Sequence, residues 1–140
     1  EHDGWTSREK WKIGSKASAY MSSPVLHEGH AYVLIQDGNF ACYNLRTGKE
    51  CWRSEKQYGS GRHGIYMSLI RQGDRILALD QGGGLHLIKA DPKKFQLIDS
   101  RKVSTQPTWS HIAASDEQVA VRELNAISLY DWKSPTPIVP

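Results

Sequence analysis

Residues 42–52 read Cys42-Tyr43-Asn44-Leu45-Arg46-Thr47-Gly48-Lys49-Glu50-Cys51-Trp52. Asn44 is suited to begin a tight turn, because its side-chain oxygen can accept hydrogen bonds from the backbone that follows. Gly48 can adopt the left-handed conformation that such a turn requires. The residues on either side of the turn therefore predict two antiparallel strands, with Trp52 on the second of them.

A second copy of this pattern lies 41 residues earlier, at Asp3–Trp11. Both copies contain a turn-starting residue, a threonine, a small residue, a basic residue, a glutamate and a tryptophan in the same order. Further turn starters are Asp91, 47 residues after Asn44, and Asp131, another 40 residues on. A period in the low forties is typical of propeller blades with four strands, and also of helical repeats.

The pattern inside each unit favours strands, since no apolar spacing of the helical kind persists over three turns. Short β-type runs are separated by Gly and Asp turns instead. The sequence therefore predicts an all-β chain, a β-propeller segment of about three four-stranded antiparallel blades. Strands are expected at 8–13, 23–26, 30–35, 39–43, 50–53, 66–70, 75–79, 85–90, 95–100, 109–113, 118–122 and 127–130.

We expect a single partial propeller domain over residues 1–140. Its expected divisions are an outer strand of a preceding or closing blade (1–17), two blades (18–57 and 58–104), a final blade without its outer strand (105–134) and a tail (135–140). About three blades do not close a ring, since propellers usually have four to eight. The chain is then either an excerpt of a longer propeller or a unit that assembles with other copies.

The motif Cys42-x-Asn44-x-x-Thr47-Gly48-Lys49-x-x-Trp52 resembles the repeat of quinoprotein-like (PQQ-like) β-propellers, Ala-x-Asp-x-x-Thr-Gly-Lys-x-x-Trp. Cys42 replaces the alanine and Asn44 the aspartate, and the unit at Asp91 keeps only the turn and the hydrophobic Phe95. The closing stretch 108–124 resembles the last blade of bacterial, planctomycete-like proteins of this group.

The resemblance implies structural roles for five residues of the motif. The broad indole of the motif tryptophan packs between neighbouring blades in this family, which assigns blade docking to Trp11 and Trp52. Asn44, Thr47 and Gly48 would form the turn that belongs to this contact. The resemblance also implies a periplasmic or otherwise extracytoplasmic location in a larger bacterial protein.

Composition and motifs argue against several classes of function. The net charge is only +3 and the basic residues are scattered, so no nucleic-acid footprint is evident. No apolar run is long enough for a membrane span. No spacing typical of a metal site or of a catalytic motif occurs, so we predict no catalytic residue, no metal ligand and no cofactor.

Binding residues are expected at one mouth of the propeller channel. Hairpin geometry around the turn at 115–117 brings Trp109 and His111 opposite Arg122 and Glu123. Further candidates at the same face are Tyr66, Asp80, Arg62 and His63, the last two in a long loop between blades.

The sequence therefore predicts a non-catalytic propeller module that binds or scaffolds a protein, a peptide or a small ligand, or that packs on the remaining blades. One alternative is a fragment of a quinone-dependent dehydrogenase, in which PQQ and calcium would be the cofactors. The other alternative is a self-assembling partial propeller and hence a homo-oligomer.

Two cysteines remain, Cys42 and Cys51. Their spacing matches no zinc or iron–sulfur motif. They are either two small half-buried residues or a disulfide across a hairpin, and the sequence leaves both options open.

Overall fold

The computed structural model describes residues 4–14, 17, 21–58 and 66–131. These residues form three antiparallel sheets, each with its strands in chain order. The first sheet contains β1 (Val25–His27), β2 (His30–Leu34), β3 (Asn39–Asn44) and β4 (Glu50–Gln57). The second contains β5 (Met67–Gln72), β6 (Arg75–Asp80), β7 (Gly84–Lys89) and β8 (Leu97–Lys102). The third contains β9 (Ala113–Ser115), β10 (Gln118–Arg122) and β11 (Ile127–Asp131).

The predicted all-β fold with antiparallel sheets of three to four strands is confirmed. The turns between the middle strands of the first two sheets are built alike. Gly38 and Gly83 have φ angles of 86° and 84°, and each donates its N–H to a carbonyl three residues earlier. Glycine is required there because other residues adopt this left-handed backbone only under strain.

Two apolar clusters hold the three sheets together. The cluster between the first and second sheets is centred on buried residues of the middle strands, among them Tyr32, Phe40 and Ile76. The cluster between the second and third sheets is smaller and includes Leu79, Leu85 and Val121. The first and third sheets thus cover opposite faces of the second sheet. The three sheets therefore stack like neighbouring blades.

Serine hydroxyls also link neighbouring sheets at the start of their first strands. The hydroxyl of Ser22 accepts the backbone N–H of Met67 at 2.8 Å, and that of Ser68 accepts the N–H of Ile112 at 3.0 Å. The two contacts repeat one unit apart, which satisfies a backbone donor at each junction.

Two predicted strands differ most from the structure, while several others differ at their ends by one to four residues. Residues 8–13 form no strand. An outer strand needs a neighbouring strand to pair with, and none lies beside residues 8–13 among the described residues. The strand expected at 109–113 begins only at Ala113, since the backbone of Ile112 is directed to Ser68 of the second sheet.

Within the described ranges, no helix is long and apolar enough to span a membrane.

Candidate functional site

The tryptophan of each motif copy contacts the turn of the next unit. The Trp52 indole N–H donates to the backbone carbonyl of Asp91 at 2.7 Å, and that of Trp11 donates to the carbonyl of Leu45 at 2.8 Å. The Trp52 ring also packs on Phe95, with ring centroids 5.7 Å apart. Each indole therefore connects two units through one hydrogen bond. Trp52 adds an aromatic contact with Phe95 at the boundary between the first and second sheets.

The turn that receives Trp11 is held by Asn44. The Asn44 side-chain oxygen accepts the backbone N–H groups of Arg46 and Thr47 at 3.0 and 3.1 Å, and the Thr47 hydroxyl at 3.2 Å. Gly48 has a φ of 70°, and a Cβ at this position would lie 2.9 Å from the Trp11 ring. The glycine thus serves both the turn and the close approach of the indole.

The corresponding indole is missing from the second sheet. In the first sheet Cys42 pairs with Trp52, next to a bulge, and Cys42 lies four residues after Gly38. In the second sheet Leu87, four residues after Gly83, pairs with Asp99 next to an equivalent bulge. Asp99 therefore occupies the position of Trp52.

Phe95 does not replace the motif tryptophan. The sequence places it at the hydrophobic position of the third unit, but its ring lies in the cluster between the first and second sheets, against Trp52. The bulge at Ile98 reverses the alternation of side chains, so Phe95 and Asp99 lie on opposite faces of the second sheet. Phe95 therefore belongs to the surface that receives the Trp52 indole.

A cleft of about 610 Å³ lies between the second and third sheets, and Leu87, the strand partner of Asp99, is one of the residues that line it. Its walls are mainly apolar, with arginine, glutamine and aspartate side chains among the lining residues. The lining residues are Ile70, Arg71, Gln72, Arg75, Leu77, Leu87, Ile112, Ala113, Ala114, Asp116, Gln118 and Val119. An apolar cleft with a few polar groups is the usual form of a binding site.

The two arginines of the cleft are held near the turn between β5 and β6. Arg75 forms an ion pair with Asp74 at 2.7 Å, whereas the Arg71 guanidinium donates to the carbonyl of Gly73 at 2.6 Å and lies 3.4 Å from the His27 ring of the first sheet, away from the cleft. A guanidinium has five N–H donors, so the ion pair with Asp74 leaves Arg75 with donors that can bind a carboxylate.

Some of the residues predicted at the channel mouth lie near one another in the structure. The rings of Tyr66 and His111 lie edge to face with centroids 6.4 Å apart, and Trp109 is 55% exposed. The Ser110 hydroxyl lies 3.5 Å from the carbonyl of Arg122, which places residues 109–111 opposite 121–123. The Glu123 carboxylate accepts the hydroxyl of Ser128 at 2.8 Å, and among the described residues it has no ion pair with Arg122.

Arg62 and His63 lie outside the described residues. Asp80 lies at the end of β6, and its backbone carbonyl accepts the hydroxyl of Thr108 at 2.6 Å. Its carboxylate points into the second sheet, where it bonds to the β6–β7 turn and to His86.

Asp80, His86 and Ser100 form a hydrogen-bonded chain across β6, β7 and β8. His86 Nε2 lies 2.9 Å from Asp80 Oδ2, and His86 Nδ1 lies 2.8 Å from the Ser100 hydroxyl. The other Asp80 oxygen accepts the N–H groups of Gly82 and Gly84 at 2.8 and 2.9 Å. These three residue types also occur in hydrolases, but here the carboxylate organises a turn and the chain cross-links three strands.

The Asp80 carboxylate is stabilised in its charged form. Burial alone would raise its pKa, but the hydrogen bond from His86, the N–H groups of Gly84 and Gly82 and the charge of His86 outweigh burial. The pKa of Asp80 in the folded protein therefore lies below its ordinary value of about 3.9.

Replacing Asp80 with asparagine should flatten the acid dependence of stability. A depressed folded pKa contributes stability that is complete above the unfolded pKa of about 3.9 and is lost as pH falls through the folded pKa. We expect Asp80→Asn to cost about 1–2 kcal/mol at pH 7 and to lose less stability than the wild type below pH of about 4. Urea unfolding at several pH values measures both effects.

Glu117→Gln is the control, because Glu117 is an exposed carboxylate in the turn between β9 and β10. Its unfolding curve should keep the acid dependence of the wild type. Parallel pH profiles for Asp80→Asn and the wild type would contradict the role given to the Asp80 carboxylate.

No three His, Cys, Asp or Glu side chains are grouped so as to hold a metal ion in the part of the chain that the structure describes. The hydroxyls of Tyr32, Tyr58 and Tyr66 are buried and have no hydrogen-bond partner among the described residues.

Comparison with known proteins supports the propeller fold. The outer membrane protein assembly factor BamB of Salmonella typhimurium is 36% identical over 70 residues, which are 47% of this chain and 17% of that protein. The crystal structure of BamB from Moraxella catarrhalis is similar with a TM-score of 0.55 and 11% identity, over 82% of this chain and 45% of that one.

The β-propeller domain of Myceliophteria thermophila Cps50 (Swd1) is similar with a TM-score of 0.57 and 18% identity, over 74% of this chain and 36% of that one. No protein family model matches the chain. The chain thus has a partial β-propeller fold, and it spans about a sixth of the curated relatives that it matches.

Proposed function

We propose that this chain is a non-catalytic binding module of a bacterial, extracytoplasmic β-propeller protein and that the cleft between its second and third sheets holds a protein partner. The cleft carries the proposal, because it lies where the preceding boundary is filled by an indole. The local similarity to BamB, which is named as an outer membrane protein assembly factor, supports a role in protein contacts and a location outside the cytoplasm.

The partner segment that fits the cleft presents an aromatic side chain next to a carboxylate. At the preceding boundary Trp52 is surrounded by apolar and aromatic residues, and Leu77, Leu87 and Val119 offer a comparable apolar wall. Arg75 supplies N–H donors for the carboxylate. Aromatic anchors in such pockets contribute much of the binding energy of protein interfaces.

N-acetyl-L-tryptophan is a suitable probe, because it carries an indole and a carboxylate. We expect saturable changes in the NMR methyl signals of Leu77, Leu87 and Val119 on titration. The probe N-acetyl-L-tryptophanamide lacks the carboxylate and should bind about threefold more weakly. The Arg75→Gln variant should bind the acid more weakly by a similar factor. Signals that do not saturate, or that change elsewhere in the sheets, would contradict the proposed site.

Asp99→Trp offers a sharper test, because it restores the indole that the second sheet lacks. We expect the new side chain to fill the cleft and to abolish probe binding, while the matched variant Asp99→Asn binds like the wild type. Unchanged binding by a folded Asp99→Trp would contradict the relation between the cleft and the missing indole.

We also propose that a further sheet of the same, longer propeller covers the outer face of the third sheet. β11 is the last strand of that sheet, and Ile127 and Leu129 are 77% and 62% exposed on it. Exposed apolar edge strands promote pairing with other chains. If this face belongs to a further sheet of the same propeller and not to another copy, the chain alone should be monomeric by sedimentation and bind an apolar dye, whereas a discrete dimer or trimer would favour the self-assembling alternative.

The proposed module requires no cofactor. In the alternative of a quinone-dependent dehydrogenase fragment, PQQ and calcium should raise the thermal unfolding temperature of the chain. We expect no such shift.

A further inference from the structure

We propose that Cys42 and Cys51 form a disulfide that joins β3 to β4 when the chain meets an oxidising environment. Both thiols are free in the structure, Cys42 buried and Cys51 exposed. The proposal concerns a covalent modification of the first sheet and is independent of the cleft.

The pairing of β3 with β4 places the two cysteines together. Cys42 pairs with Trp52 and Tyr43 with Glu50, so Cys51 is the extra residue of a bulge opposite the step from Cys42 to Tyr43. Cross-strand partners in antiparallel sheets have Cα atoms about 4.5–5.5 Å apart, within the range of about 4.4–6.8 Å that disulfides need. A bulge sets two residues against one, which brings Cys51 beside Cys42.

The environment of Cys42 supports this proximity. Burial raises its pKa to about 12, and the neighbouring Cys51 thiol adds to this rise through its charge and a hydrogen bond. A buried thiol with a raised pKa is a poor first target for an oxidant, whereas exposure makes Cys51 accessible.

The reaction is a balanced thiol–disulfide exchange with a small-molecule disulfide such as glutathione disulfide. The Cys51 thiolate attacks the oxidant, which forms a mixed disulfide and releases one glutathione thiol. Cys42 then attacks the Cys51 sulfur and releases the second glutathione. Two S–H bonds are lost and one S–S bond forms, and two electrons and two protons pass to the two glutathione thiols.

The bond would fix the outer strand of the first sheet beside Trp52. Cys42 and Trp52 are direct partners, so a link from Cys42 to Cys51 constrains the residue that precedes the indole. Oxidation would thereby secure the strand that supports the contact between the first two sheets.

Mass spectrometry of the full chain after incubation with glutathione disulfide tests the proposal. We expect an intact mass lower by about 2 Da than that of the reduced chain, and no thiol that reacts with maleimide after unfolding. Trypsin cleaves after Arg46 and Lys49, so the peptides of Cys42 and Cys51 should remain joined only until reduction.

Cys42→Ser and Cys51→Ser are the matched variants. Cys42→Ser should carry one glutathione on the exposed Cys51, and Cys51→Ser should keep its buried thiol reduced. The proposal is wrong if the wild-type chain carries glutathione on Cys51 or forms disulfide-linked dimers while Cys42 stays reduced. This outcome can be read from the wild type alone if a variant does not fold.

Discussion

Replacing Trp52 with alanine is expected to destabilise the chain by about 3 kcal/mol, the lower end of the range for removing a large aromatic side chain, because Trp52 is partly buried. The substitution removes the hydrogen bond to the Asp91 carbonyl and the ring contacts with Tyr32, Phe40 and Phe95. It also leaves the Asp91 carbonyl without its indole donor, which adds to the loss. Equilibrium urea unfolding followed by circular dichroism measures the change.

Trp5→Ala is the matched control, since Trp5 is fully exposed. Its unfolding midpoint should stay at the wild-type value, because surface substitutions away from special features change stability little. Equal effects of the two substitutions would show that the Trp52 indole does not hold the first two sheets together.

Replacing Gly83 with alanine is expected to lower the free energy of unfolding by about 3 kcal/mol. Alanine is strained in the left-handed backbone conformation of this position, and its Cβ would collide with the backbone of Ser104. Gly83 has a φ of 84°, and an added Cβ would lie 2.8 Å from the carbonyl carbon of Ser104 and closer still to its oxygen. Backbone atoms cannot move aside as a flexible side chain can. The loss should appear in the free energy of unfolding and in faster hydrogen exchange of Val103 and Ser104, whose N–H groups bond to the Gly83 carbonyl.

Gly29→Ala separates the two contributions. Gly29 has a similar φ of 74°, but no atom lies within 4 Å of an added Cβ. This variant should lose only the conformational part, about 1 kcal/mol. If Gly29→Ala and Gly83→Ala lose the same stability, the close approach of Ser104 contributes nothing.

The turns could be predicted from sequence because their causes lie within a few residues of each other. Asn44 reaches Arg46 and Thr47, and Gly48 completes the same turn, so local chemistry is sufficient. The strand at 118–122 has the predicted bounds, and the strand predicted at 75–79 extends one residue further, to Asp80, because turn residues lie on either side of both. The strand expected at 8–13 was wrong because pairing depends on a neighbour, which local propensity does not supply.

The cleft could not be predicted, because it depends on how two sheets pack. The eight-residue step from Asn44 to Trp52 leads from Asp91 to Asp99, and the strand register agrees, since Asp99 pairs with Leu87 beside the bulge. The spacing therefore shows where the indole is exchanged for a carboxylate, but not that a cleft results.

Other contacts of the second sheet left weak signals in the sequence. The Ser68–Ile112 contact joins residues that are 44 apart in the sequence. The tripeptide Tyr-Met-Ser at 20–22 and 66–68 nevertheless indicates that Ser22 and Ser68 are equivalent residues. Asp80 was expected at the channel mouth from the end of its strand, whereas its carboxylate turns inward to His86.

Hydrogen exchange at the tryptophan indoles, followed by NMR on the wild-type chain, tests the stacking of repeated sheets most directly. The indole N–H of Trp52 should exchange at least about tenfold more slowly than that of Trp5 and show a nuclear Overhauser effect to Asp91 or Pro92, because it donates across the boundary. Exchange of the Trp52 N–H as fast as that of Trp5, without a contact to residues 91–92, would contradict the propeller arrangement.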